Sequence, residues 1–388
     1  MRIIHTADWH IGQLFYGYDR VAEHTVAFAA LRDIVALKQP DVLLVSGDVF
    51  HNPQPSATAQ AMLTRVITEL RDAAPKMTII LTAGNHDSAS RHEIFSDAWR
   101  RLGVYAIGSV ADNDDDNFQK LIVEVPGGFV VSVPYVYGRS IDDGLVVRLL
   151  AEVEKRNTDG LPVVVMAHAM MAFAGIIPES DYKGADEPKS LELFGHGYDY
   201  LALGHVHHPS AMPGTRGAVR YSGSIIPLNF SENFRHSVVM ADIDVYGAEP
   251  RIELLPMPDI MPVVSIPTSG FRPWSEALGE LRNYRSEIPS YVRLCVSRDE
   301  AVPPDAAETA AKICEERGHR FCLVHYPPLD CSGHGGKDAG LSFDEFREMT
   351  PADVAKLYAR DNGIAFSDAV WRLFAEVVDT VKSEEDEP

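Results

Sequence analysis

The chain is poor in cysteine, in basic charge and in long apolar runs, and each shortage excludes something. Its four cysteines, Cys295, Cys314, Cys322 and Cys331, fall late in the 388 residues and form no Cys-x-x-Cys pair. A disulfide scaffold or a thiolate metal site is not expected, and a reducing cytoplasm fits best. No apolar run approaches the ~20 residues of a membrane span. Met1-Arg2-Ile3-Ile4-His5 leads straight into a strand pattern without the layout of a signal peptide. A cytoplasmic protein with no membrane partner is therefore expected. Basic residues number 35 against 56 acidic ones, a net charge of −21. That excludes retention on nucleic acid by a general positive field. It leaves open an enzyme that meets phosphates through metal ions and a few local basic groups.

What is present is ordinary globular material, 46% hydrophobic and 23% charged, long enough for two or three domains. Short apolar runs read as buried strands, and stretches of helical periodicity separate the early ones. Strand 2–7 runs into Asp8-Trp9-His10-Ile11-Gly12, and a helix over 20–38 stops before Pro40. Strand 41–46 ends on Gly47-Asp48-Val49-Phe50-His51, and a helix over about 56–73 takes Ser56 as its N-cap. Strand 77–83 ends on Gly84-Asn85-His86-Asp87, followed by a helix at 89–101. This order predicts a parallel sheet with crossover helices. Further on come strands within 119–136 about a Gly127-Gly128 turn, a helix at 142–156, and a strand ending on His168. Strand 200–203 ends on Gly204-His205-Val206-His207-His208, and antiparallel strands follow near 219–224, 236–244 and 251–256. Pro256 to Pro262 marks a boundary. Beyond it 263–325 reads as a small α/β module, then a Gly-rich linker, then helices at about 350–361 and 367–382.

Five separate strands thus finish on oxygen or imidazole donors: Asp8, His10, Asp48, Asn85, His86, His168, His205 and His207. Any one of these is readily a turn former or a hydrogen-bonded loop residue. Those bland readings would have to hold independently at every strand. Carboxylate, amide and imidazole without thiolate suit manganese, iron or zinc. The set is too large for one tetrahedral site. It suits two ions roughly 3.5–4 Å apart that share a carboxylate and clamp a phosphoryl group.

In this order the motifs resemble the signature of the calcineurin-like metallophosphoesterases. Phosphoprotein phosphatases continue their Gly-Asp motif into Asp-Arg-Gly, whereas this chain reads Val49-Phe50-His51. With Asp8-Trp9-His10-Ile11-Gly12, that resembles the double-strand-break repair nucleases to which the bacterial SbcD proteins belong. The motifs are specific over the first ~210 residues and only architectural after them. The resemblance implies an α/β fold: a calcineurin-like β-sandwich flanked by helices, with a small α/β capping domain and C-terminal helices. It divides the chain into a nuclease domain (1–257), a DNA-binding capping domain (258–330), a linker (331–349) and a partner-docking segment (350–382). It assigns Asp8, His10, Asp48 and His207 to one ion, and Asp48, Asn85, His168 and His205 to the second, with Asp48 as the bridge. His86 would stabilise or protonate the leaving oxygen, and His51 would position the substrate. Asp87 would either orient the His86 ring or cap a turn. His5, His24 and His208 are left to structure, and Tyr221-Ser222-Gly223-Ser224 to a loop near the site.

The implied activity is that of a manganese-dependent DNA nuclease in repair and recombination. It would be a 3′-to-5′ exonuclease on duplex ends and an endonuclease on single strands and hairpins, acting with an SbcC-like ATPase. The resemblance also implies a homodimer, for which Met62, Val66, Ile67 and Leu70 offer one helical stripe, although core packing explains that stripe equally well. Two alternatives remain. A phosphodiesterase for small molecules needs neither His51 nor the domains beyond residue 258. A non-catalytic scaffold has no reason to keep every donor.

Overall fold

The computed structural model describes residues 1–110, 115–135, 144–172, 188–327, 350–361, 367, 370–375 and 378. The chain divides into two compact units, Met1–Tyr326 and Pro327–Pro388.

Alternation along the early strands decides the layering. Ile3, Val42, Leu44 and Ile80 point one way, and Ile4, Leu43, Val45, Ile79 and Leu81 the other, all fully buried. A strand buried on both faces must be covered on both. The first sheet has six strands in the order Arg251–Pro256, Ser237–Asp242, Arg2–Thr6, Val42–Ser46, Thr78–Thr82 and Val104–Ile107. Its last four run parallel, and Ser237–Asp242 joins Arg2–Thr6 antiparallel. On its outer face lie helices Val21–Lys38 and Ala57–Ala73. The Ser56 side chain accepts from Ala59 N at the start of the second helix, an N-cap as expected.

The inner face packs on a second six-stranded sheet that the strand–helix rhythm does not announce. Its order is Ser210–Ala211, Val219–Tyr221, Tyr200–Gly204, Val163–His168, Gly128–Val133 and Ile122–Val125. Val130, Val164 and Tyr200 share the face turned to Ile3, Leu44 and Ile80 in one core, which helix Leu145–Arg156 joins through Leu145, Leu149 and Val153. Truncating a fully buried contact such as Leu44 to Ala would cost about 2–5 kcal/mol. The two sheets draw together at the C-terminal ends of their parallel strands, where Ser46 Oγ donates to Ala202 O at 3.1 Å.

Three expectations change. Val219–Tyr221, expected as an antiparallel strand, runs parallel to Tyr200–Gly204. The helix read over 89–101 is two short ones, Ala89–His92 and Ser96–Arg100. Between them, Glu93 turns its carboxylate to the amides of Gly108 and Ser109 and to Lys120 Nζ. The stripe Met62, Val66, Ile67 and Leu70 belongs to the core against the first sheet, so it is not available as a dimer face.

Residues 263–325 form a three-stranded parallel sheet, Val263–Ile266, Tyr291–Cys295 and Arg320–His325, with helices Trp274–Asn283 and Ala306–Glu315. It seats on the sandwich through Phe15, Phe230, Met261, Val263 and Tyr291. At that seam the buried Glu23 carboxylate accepts from Tyr291 Oη at 2.5 Å and from Arg320 Nη1 at 3.0 Å.

In the second unit, helix Pro351–Asp361 opens with a capping box. Asp353 N donates to Thr350 Oγ1, and Thr350 N donates to Asp353 Oδ2. The linker expected at 331–349, and half of the last predicted helix, lie outside the described residues. No helix among the described residues is long and apolar enough to cross a membrane.

Candidate metal centre

Asp8, His10, Asp48, Asn85, His168, His205 and His207 come from five strand ends and converge where the sheets close. The backbone is forced to do this. Among the described residues only seven other than glycine have positive φ, and four of them are Asp8 (51°), His10 (45°), Asp48 (51°) and His205 (97°). Such conformations cost on the order of 1–3 kcal/mol each and gather at functional sites. Two glycines make room. A Cβ at Gly47, φ +85°, would overlap the His168 ring, and one at Gly84 would overlap Asp48 Oδ1.

The ring nitrogens can be assigned from their partners. His168 Nδ1 lies 2.9 Å from the Ser46 carbonyl, which only accepts, so Nδ1 carries the hydrogen. Burial lowers the pKa of this ring to about 4, so Nε2 presents a lone pair. That lone pair faces Asn85 Oδ1 at 2.9 Å and Asp48 Oδ2 at 3.5 Å. His205 Nδ1 joins them, 3.1 Å from Asn85 Oδ1 and 3.3 Å from His168 Nε2. On the other side of Asp48, His10 Nε2 is buried with no hydrogen-bond partner among the described residues and stands 3.4 Å from Asp48 Oδ2. Asp8, His10 and His207 each offer a ligand atom, all within 4.8 Å of one another. Two donors bonded to one ion at about 2.0–2.2 Å stand roughly 3.0–3.5 Å apart. The spacings fit two cation sites that share Asp48.

The electrostatics agree. Burial raises the Asp8 carboxyl to about 8 against the charge of His207, with Asp48 adding to the rise. Burial also raises Asp48, while His86 and other imidazoles oppose it. The His10 ring falls well below its usual value through burial and then through His207, His86 and His51. His207 goes the other way: burial opposes its charge, but Glu232, Asp8 and Asp48 hold it up to about 9. Carboxyls pushed towards their protonated form beside His10 and His168 rings that shed protons describe a cluster short of positive charge. A divalent cation supplies that charge.

The remaining expected residues sit at the rim. His86 N donates to Asp48 Oδ1, and its ring is held by Nδ1 donating to the His51 carbonyl at 2.9 Å. His51 Nδ1 lies 3.2 Å from His10 Nδ1. If His10 turns Nε2 to an ion, its Nδ1–H donates to His51, which leaves His51 Nε2 as an outward donor. Asp87 does not orient the His86 ring. Its carboxylate accepts from Gly84 N, Val49 N and Phe50 N, binding two of the strand-end loops together, so the turn-cap reading stands. His5 and His24 serve the fold, bonded to Tyr200 Oη and to the Trp9 and Arg20 carbonyls.

Sequence reading missed Glu232. Its Oε1 accepts from His207 Nδ1 at 2.8 Å, although it lies 25 residues further along the chain. Its one visible signal is an acidic residue closing a largely apolar stretch, Ile225 to Phe230.

Residues 1–209 match the family model of calcineurin-like phosphoesterases. The chain is also similar to two curated proteins named as the SbcD component of the SbcCD nuclease. That of Rhodobacter capsulatus is 34% identical over 311 residues, which span 72% of this chain and 75% of the relative. That of Escherichia coli K12 is 26% identical over 328 residues, 77% of this chain and 79% of the relative.

Proposed function

The chain belongs to the calcineurin-like phosphoesterases and, within them, to the SbcD nuclease subunits, and from that premise we propose that it cleaves DNA phosphodiesters at a two-ion centre. The observation that carries this is the meeting of His168 Nε2 with Asn85 Oδ1 at 2.9 Å and Asp48 Oδ2 at 3.5 Å, three groups that can each offer a lone pair to a cation. Asp8, His10, Asp48 and His207 would hold one ion, and Asp48, Asn85, His168 and His205 the other, with manganese, one of the metals that suit this donor set, as the metal the family resemblance implies. Two divalent ions supply positive charge for a phosphodiester and acidify water. The protein's own groups do the rest. Asp87 fixes the loop that presents Asp48 and His51. The His51 carbonyl takes the His86 Nδ1–H, which leaves Nε2 to stabilise or protonate the departing oxygen. His51 Nε2–H is a donor for a substrate phosphate.

In the full reading the substrate is DNA: duplex ends cut 3′ to 5′, and single strands or hairpins cut internally, in a cytoplasmic complex with an SbcC-like ATPase. The module at 263–325 would be the capping domain that meets DNA, and 350–382 the segment that docks the ATPase. A homodimer would use the exposed apolar side chains Ile94, Phe95 and Leu102, since the Met62 stripe is spent in the core.

The test is direct. The purified chain is given linear duplex, a hairpin and a p-nitrophenyl phosphodiester, with manganese, with magnesium and with chelator. Manganese-dependent cutting of both DNA substrates is expected. Turnover of the small diester alone would favour a small-molecule phosphodiesterase, and no turnover of any substrate would favour a scaffold.

A further inference from the structure

We propose that Glu232 is a positioning residue that turns His207 Nε2 towards the ion shared with Asp8 and His10 and holds it there. The proposal rests on the two-ion reading above. Three rings at this centre differ in how they are held. His168 and His86 each give Nδ1–H to a backbone carbonyl, of Ser46 and of His51. His207 gives its Nδ1–H to a side-chain carboxylate. It also has the looser surroundings, with 27% of its side chain exposed against 3% for His10 and none for Asp8 or His168. Packing encloses this ring less than the others, and the hydrogen bond to Glu232 is the contact that fixes its rotation.

Glu232 is built as one. Its side chain is 3% exposed, and each oxygen takes two donors. Oε1 accepts from His207 Nδ1 at 2.8 Å and Asn229 Nδ2 at 2.7 Å. Oε2 accepts from Ser224 Oγ at 2.8 Å and Leu228 N at 3.0 Å. A carboxylate offers about four such positions, and all are taken. The group is therefore ionised, has no proton to give, and fixes the tautomer of His207 with hydrogen on Nδ1. In the neutral ring that binds a cation, the lone pair is then on Nε2, the atom an ion needs. A carboxylate in this place also makes the imidazole a better donor to a cation.

The loop that carries Glu232 is itself pinned. Gln13 Nε2 donates to Leu228 O at 3.1 Å, and buried Arg20 donates to Pro227 O and Gln13 Oε1. Gln13 N donates to the His10 carbonyl at 3.1 Å, so the same network reaches the loop that carries His10.

Glu232 could instead serve the fold alone, as a clasp on residues 224–232. The two roles separate in Glu232→Gln. An amide matches only part of the donor set, and its NH₂ turned to His207 would select the tautomer with hydrogen on Nε2. Manganese binding to wild type and to Glu232→Gln is measured by titration calorimetry, with folding checked by circular dichroism. Two ions are expected in wild type. In the variant one ion should bind as before and the other about 10–100-fold more weakly, the usual effect of removing such a partner. A folded variant that takes up two ions with wild-type affinity overturns the proposal. Wild type binding fewer than two ions would instead sink the two-ion reading, and this proposal with it. A second measurement avoids the variant altogether. Nitrogen NMR of zinc-loaded wild type should find His207 protonated at Nδ1, and protonation at Nε2 would refute the assignment even if Glu232→Gln does not fold.

Discussion

Removing the ions should make the stability of the fold depend on pH, in a direction set by Asp8 and His207. Burial raises the Asp8 carboxyl to about 8 despite the charge of His207, while an unfolded chain titrates it near ~3.9. Between those values the metal-free fold keeps a proton that the unfolded chain has released. A folded-state pKa above the unfolded one gives stability that is present at low pH and lost as pH rises. One such group loses about 1.4 kcal/mol per pH unit. His207, held up to about 9 against burial by Glu232, Asp8 and Asp48, acts in the same direction above its unfolded value of ~6.5. The two groups sit in each other's field, so the slope of one is the working figure. From pH 6.5 to 8.5 that is a loss of roughly 3 kcal/mol, or roughly 5–10 °C in Tm for a domain of a few hundred residues. His168, lowered to about 4 by burial, has the opposite sign and adds stability between pH 4 and 6.5. Thermal unfolding is followed across this range with chelator and with manganese. The chelated curve should fall above pH 6.5, and the gap to the loaded protein should widen. A chelated protein with flat or rising stability from pH 6.5 to 8.5 would refute the reasoning.

Three further outcomes are expected. His86→Ser should lose at least about 100-fold in cleavage, the scale of a missing general acid, yet still take up manganese, and calorimetry showing lost binding would move His86 among the ligands. Phe95→Glu should turn a dimer into a monomer in light scattering at micromolar concentration, and a wild type that is already monomeric removes the premise. Deleting residues 340–388, which lie within the second compact unit, should leave manganese-dependent cleavage of short single strands nearly unchanged. It should also abolish co-purification with the ATPase, and a truncated chain that still binds it ends the docking idea.

The sequence makes some of this legible and hides the rest for physical reasons. The strand ends are legible because buried runs such as Leu43–Val45 stop on Gly-Asp and Gly-Asn-His-Asp, residue types that packing would not choose. Helices Val21–Lys38 and Ala57–Ala73 are legible from periodicity and from the Ser56 cap. The second sheet is not, because strands buried on both faces carry no alternation to say which neighbour they pair with. The break at Glu93 is hidden because its cause is a bond to amides at 108 and 109, fifteen residues on. Asp87 follows His86 in sequence, yet its carboxylate points to the backbone of another loop. Glu232 is invisible for a related reason, since a lone acid becomes meaningful only once folding brings His207 to 2.8 Å. The stripe on Ala57–Ala73 marks a buried face without saying whether the sheet or a partner buries it.

The central claim is that Asp48 joins two ions, its Oδ2 standing 3.4 Å from His10 Nε2 and 3.5 Å from His168 Nε2. The most direct measurement is the number of manganese ions bound per chain, in wild type and in Asp48→Ala, with cleavage of linear duplex followed on the same samples. The account predicts two ions and cleavage in wild type, and neither ion nor cleavage in a folded Asp48→Ala. Manganese-dependent cleavage that survives in Asp48→Ala, or a wild type that saturates with one ion, would contradict it.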